Sequence, residues 1–160
     1  MTEGSGATER SAENGRPIPR LLQSARGAYR DAIRQGLDAG GFDNLPWNGF
    51  HALDKRNSEV SPAELMNELG ISKQAASQLI DTLVVRGYLD RAINPDDRRR
   101  MTIRLTDRGK AAAAAIASAV QAVDDELARR VTPTDLVGLR SGLAALCDIR
   151  ESLGISRADG

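Results

Sequence analysis

A chain of 160 residues has room for one domain with a tail, and 41% hydrophobic content with only 3% aromatics requires a core of Leu, Ile, Val and Ala. Such a core suits packed helices better than a strand-rich sandwich, so the expected fold is mainly α. One cysteine, Cys147, excludes an internal disulfide and a multi-cysteine metal site, and one histidine, His51, leaves little material for a histidine-based metal or catalytic centre.

No cofactor is expected. No apolar run approaches the ~18 residues of a membrane span, and Met1 to Arg16 has no apolar signal core, which points to the cytoplasm. The net charge of +0 is unevenly spread. Residues 71–110 carry nine Lys/Arg against five Asp, a net of +4, whereas residues 111–160 carry five Arg against seven Asp/Glu, a net of −2. A basic middle hints at a face for a polyanion.

Met1 to Pro19 is rich in Gly, Ser, Glu and Asn without apolar periodicity and reads as a disordered tail (residues 1–19). From Leu22, apolar positions at Ala25, Tyr29, Ala32, Ile33 and Gly36 keep helical spacing and stop near Ala39-Gly40-Gly41. A short helix after Pro46 carries Trp47, Phe50 and Leu53. Ser61-Pro62-Ala63-Glu64 then supplies a capping hydroxyl, a first-turn proline and a glutamate at the third helical position. Leu65, Met66 and Leu69 give that helix its apolar face, and Gly70 ends it. Ser72 caps the next helix, whose buried face is Ala75, Ala76, Leu79, Ile80 and Leu83 and whose stop is Gly87. Two short helices about a glycine corner outline a helix-turn-helix.

Beyond Gly87 the period changes to two. Met101, Ile103 and Leu105 alternate with Thr102 and Arg104. Tyr88 to Ile93 forms the partner strand, and Asn94-Pro95-Asp96-Asp97 is turn chemistry. The hairpin so formed is a wing with Arg98, Arg99 and Arg100 at its tip. Ala113, Ile116, Val120, Val123 and Leu127 are the 3-4 seam of a helix from about Asp107 to Arg130. Thr132-Pro133-Thr134-Asp135 starts a last helix with its stripe at Leu136, Leu139, Leu143, Leu146 and Leu153.

The second helix of the pair should present Ser72, Lys73, Gln74, Ser77, Gln78 and Thr82 to solvent. A small, polar helix start of this kind can enter the major groove of double-stranded DNA. Lys73 suits a phosphate or guanine, Gln74 or Gln78 an adenine, and the backbone N–H groups at Ser72 a phosphate oxygen. Arg98, Arg99 and Arg100 on a hairpin tip can reach a narrow minor groove. Asp97 suits an internal partner that holds one guanidinium in a rigid fork. No phosphate loop, nucleophile elbow or His-containing cluster points to an enzyme. The competing reading is a winged helix used for protein interaction or dimerisation without DNA, against which the basic wing argues.

Ser61-Pro62-Ala63-Glu64-Leu65, Gly70-Ile71-Ser72-Lys73-Gln74, Arg86-Gly87-Tyr88-Leu89 and Asp97-Arg98-Arg99 followed by Leu105-Thr106-Asp107-Arg108-Gly109 resemble the MarR/SlyA family of winged helix-turn-helix transcriptional regulators. The resemblance runs from roughly Leu45 to Ala115. It implies a homodimer on an inverted-repeat operator, with residues 45–106 as the winged DNA-binding domain and residues 20–44 and 107–160 as the helical dimerisation region. It also makes Asp97 and Arg99 the wing pair, and Gln78 stands where some members carry an arginine. Family members often sense small aromatic effectors between the two regions, for which Trp47, Phe50 and His51 are the ligand candidates. Cys147, on the last helix, is expected as a buried structural thiol.

Overall fold

The computed structural model describes residues 15–42, 45–53, 60–93 and 101–153. Among the described residues, six helices and a two-stranded antiparallel hairpin follow in the order α1 (Ile18–Ala39), α2 (Trp47–Leu53), α3 (Pro62–Leu69), α4 (Lys73–Val85), β1 (Leu89–Ile93), β2 (Met101–Leu105), α5 (Asp107–Arg130) and α6 (Pro133–Ser152). The fold is mainly α with a small β-hairpin wing.

α1 starts earlier than its apolar stripe suggested, at Ile18, inside the segment expected to be tail. Pro19 sits in the first turn, where its missing N–H would have had no helical partner in any case. The C-terminal half of α1 packs on α5 through Ile33 and Leu37 against Ala112 and Ile116, all buried. A Cβ at Gly36 would lie 3.3 Å from the Ala119 Cβ. The two helices therefore cross closely at that point. Further along the same crossing, the Tyr29 hydroxyl donates to the Asp124 carboxylate at 2.5 Å.

The winged lobe is built by caps and one apolar core. Ser61 closes a capping box, accepting from the Glu64 N–H at 3.2 Å while Glu64 accepts from the Ser61 N–H at 2.6 Å. Gly70 takes φ 59°, the left-handed conformation that lets the chain turn the corner between α3 and α4. Ser72 then caps α4 by accepting from Ala75 N–H at 3.2 Å. At the far end Gly87, φ 73°, closes a Schellman motif: its N–H donates to Val84 O, and Tyr88 N–H to Leu83 O. Leu53, Leu65, Leu83, Tyr88 and Ile103 are the largest side chains buried completely.

β1 and β2 pair in register from Leu89↔Leu105 to Ile93↔Met101. An addition that the alternating pattern did not signal is Val60, which exchanges two backbone bonds with Ile103 (3.1 and 2.8 Å) just ahead of the α3 cap. A single residue carries no period, so only the fold reveals this tie between hairpin and helix-turn-helix. Thr106 then welds the hairpin to α5. Its hydroxyl accepts from Gly109 N–H at 3.0 Å and donates to Gly87 O at 2.5 Å.

α6 is the exception to this packing. Leu136 is half-buried, and every other residue of the helix whose side chain is described is exposed. Among the described residues, no helix is long and apolar enough to cross a membrane.

Candidate nucleic-acid interface

α4 divides cleanly by face. Ala76, Leu79, Ile80 and Leu83 are buried, whereas Ser72, Lys73, Gln74, Ser77 and Gln78 are all exposed. Thr82 is half-buried, and its hydroxyl proton is already given to Gln78 O at 2.8 Å. At about 100° per residue, Gln74, Gln78, Asp81 and Val85 lie along one stripe of the helix.

Asp81 on that stripe was not anticipated, since a carboxylate faces phosphates poorly. The structure supplies its partner: Arg91 of β1 donates to the Asp81 carboxylate. Arg91 is in register with buried Ile103, on the hairpin side that packs on α4, so its stem lies along the lobe and its head reaches Asp81. Arg104 pairs across the hairpin with Asp90 at 3.0 Å. Both pairs are surface pairs and contribute little to stability by themselves. Arg91 neutralises the Asp81 carboxylate on the outer stripe of α4, whereas the Arg104–Asp90 pair lies on the other face of the hairpin. Asp97, Arg98, Arg99 and Arg100 lie outside the described residues.

The aromatic candidates separate. Phe50 is buried, Trp47 half-buried and His51 exposed. Trp47 meets Phe50 edge-on at 4.8 Å and His51 at 6.0 Å, with the Arg26 guanidinium 5.5 Å above its ring. Its indole N–H is buried with no hydrogen-bond partner among the described residues. A cavity of about 290 Å³ opens between α1 and α2, lined by Arg34, Leu37, Asp38, Phe42, Leu45 and Phe50. Of the three residues expected there, only Phe50 contributes. The α1 side of the cavity was missed because Arg34 and Asp38 read as an ordinary solvated helix face.

Cys147 requires a correction. It is exposed, not buried. The expectation took α6 to be covered, and among the described residues α6 has almost no neighbour to cover it. Among the described residues, no group of three or more His, Cys, Asp or Glu is placed to hold a metal ion.

The sequence model described as the MarR family matches residues 50–100, from within α2 to just before β2. The chain is 34% identical over 93 residues to the transcriptional repressor MprA of Escherichia coli (strain K12), a match covering 58% of this chain and 53% of that protein. It thus spans about half the length of that relative. A cysteine-to-serine mutant of MarR from E. coli, complexed with operator DNA, superposes with a TM-score of 0.64 at 24% identity, over 81% of this chain and 93% of that one. BpsR of Bordetella bronchiseptica, whose DNA binding is regulated by 6-hydroxynicotinic acid, superposes with a TM-score of 0.62 at 19% identity, over 82% and 94%. Helix-turn-helix, glycine corner, hairpin and capped α5 occur here in one continuous order, the winged-helix fold of those solved structures, and residues 50–100 are similar in sequence to the MarR family.

Proposed function

We propose that this protein is a homodimeric, sequence-specific DNA-binding transcription regulator, a repressor, with α4 as its recognition helix. The observation that carries the reading is the exposed polar face of α4, Ser72 to Gln78, held rigidly by caps at both ends beside a hairpin. Lys73 and the Ser72 backbone take phosphate, Gln74 and Gln78 read base edges, and Thr82 offers its methyl group. Arg98, Arg99 and Arg100 at the wing tip take the minor groove, with Asp97 orienting Arg99.

Dimerisation is supported by α6, which exposes Val137, Leu139, Leu143, Leu146 and Ile149, by Leu153 just beyond it, and by Ile18, Leu21 and Leu22 at the start of α1. So long an apolar surface on a small chain marks an interaction face. A small aromatic effector fits the cavity beside Phe50, where Phe42 and Leu37 offer apolar wall and Arg34 a cation.

Selection of bound duplexes from a random pool tests the reading. The expected product is an inverted repeat with half-sites about one helical turn apart, ~10 bp. Its affinity should fall steeply with salt as counterions are released. A pool that shows no enrichment, or an asymmetric single site with little response to salt, would overturn it.

A further inference from the structure

Arg108 belongs to the first turn of α5 and is exposed, yet it is held from several sides. Its guanidinium carbon lies 5.0 Å from the centroid of the Tyr88 ring and 5.6 Å from that of Phe42. The two rings are 6.5 Å apart and tilted by 55°, so the cation bridges two aromatic faces. Its Nη2 donates to Gly41 O at 3.3 Å and approaches the Tyr88 hydroxyl at 3.4 Å.

The segments joined here matter more than the contacts themselves. Gly41 and Phe42 are the turn that ends α1, the arm read above as part of the dimerisation region. Tyr88 is fully buried, and its N–H on Leu83 O forms the last bond of the α4 terminus. Phe42 also forms part of the cavity wall. One planar cation therefore sits between the end of α1 and the end of the proposed recognition helix. Arginine suits this place, because a delocalised guanidinium stacks on ring faces and forks to carbonyls, whereas lysine keeps a compact, strongly hydrated head.

We propose that Arg108 is a positioning residue for DNA binding: seated between Phe42 and Tyr88, it sets the attitude of α4 against α1, so that displacement of Phe42 is passed to α4. The proposal rests on α4 being the recognition helix. It differs from a phosphate contact, in which only the charge of Arg108 would count.

The test compares the full-length wild type with Arg108→Lys, Arg108→Met, Phe42→Leu and the double variant Phe42→Leu/Arg108→Met. Each is measured on the selected operator across a salt titration, with circular dichroism giving the folded fraction. Each single variant should remain folded and bind about tenfold more weakly. The double variant should be no weaker than the worse single one, since both break one link. The salt slope should hold, and lysine should not rescue. Full rescue by Arg108→Lys, together with a slope lowered by about one in Arg108→Met, would convert Arg108 into a phosphate contact and overturn the proposal. Additive losses, or losses explained by the unfolded fraction, overturn it too. Should Arg108→Met fail to fold, Arg108→Lys and Phe42→Leu decide by the same criteria. If the wild type itself binds no duplex, the recognition-helix reading falls and this role falls with it; wild-type binding with additive losses removes the positioning role alone.

Discussion

Gly109 shows how far one absent methyl group reaches. A Cβ built there would lie 2.0 Å from the Tyr88 carbonyl oxygen, inside any tolerable contact. In an exposed helix, Gly→Ala gains about 1 kcal/mol from propensity. Here the first turn of α5 rests on backbone that cannot move without pulling the Thr106 hydroxyl from Gly87. We expect the clash to win, with Gly109→Ala losing about 3 kcal/mol in urea unfolding; an unchanged or raised midpoint would show that the α5 start is free to shift. At the proposed DNA face, a different division is expected between base reader and groove reader. Gln78→Ala should cost ~1–3 kcal/mol on the operator and little on unrelated duplex. Arg99→Ala should weaken both and lower the salt slope by about one. Binding of both variants to operator and scrambled duplexes across a salt series separates the roles. Equal losses for Gln78→Ala on the two duplexes would remove it as a base reader.

Among the elements, the α1–α5 crossing carries a group that responds to pH. The hydrogen bond to Asp124, aided by partial burial and the carboxylate charge, pushes the Tyr29 phenol up from 10.0 to about 12, against a smaller pull from Arg140. A phenol with a raised folded pKa stabilises the fold fully below its unfolded value and loses that contribution as pH climbs through the folded one. Wild type should therefore be more stable than Tyr29→Phe by about 1 kcal/mol at pH 8. That difference should shrink between pH 10 and about 12; chemical denaturation at pH 8 and pH 11 measures it. A constant difference across that range would mean that Asp124 does not hold the phenol proton. The elements themselves were largely legible in the sequence, for local reasons. α3, α4 and α5 start where Ser61, Ser72 and Thr106 accept N–H bonds, and those caps are written in three or four consecutive residues. The α5 seam also holds, with Ile116 buried and Ala113, Val120, Val123 and Leu127 half-buried. What stayed hidden depends on distant partners. The Val60 bridge, the Asp81–Arg91 pair and the Arg108 stack each join residues from different elements, and no spacing along the chain encodes them. The exposure of Cys147 was misread for the same reason, because burial on α6 depends on a neighbour that the described residues do not supply.

At the scale of the whole molecule, α1 to α5 enclose a shared core, whereas α6 offers its leucines outward. Leu143→Asp places a carboxylate in the middle of that face. In the dimeric reading it would be stranded at an apolar interface, so dimer and fold should be lost together. Multi-angle light scattering should give twice the chain mass for wild type at micromolar concentration, and a monomeric or unfolded species for the variant. A wild type that stays a folded monomer would contradict dimerisation. In the dimeric reading, the outward face of α6 would also change what the level of the protein in a cell can do. Chains stabilised by association melt at temperatures that rise with their concentration. In the dimeric reading, dilution would weaken the fold itself, and occupancy of a two-chain operator would fall with the square of chain concentration once dimers begin to separate. A modest change in synthesis would then be read at the promoter as a steeper one. The threshold would be set by leucines on a helix that touches no base.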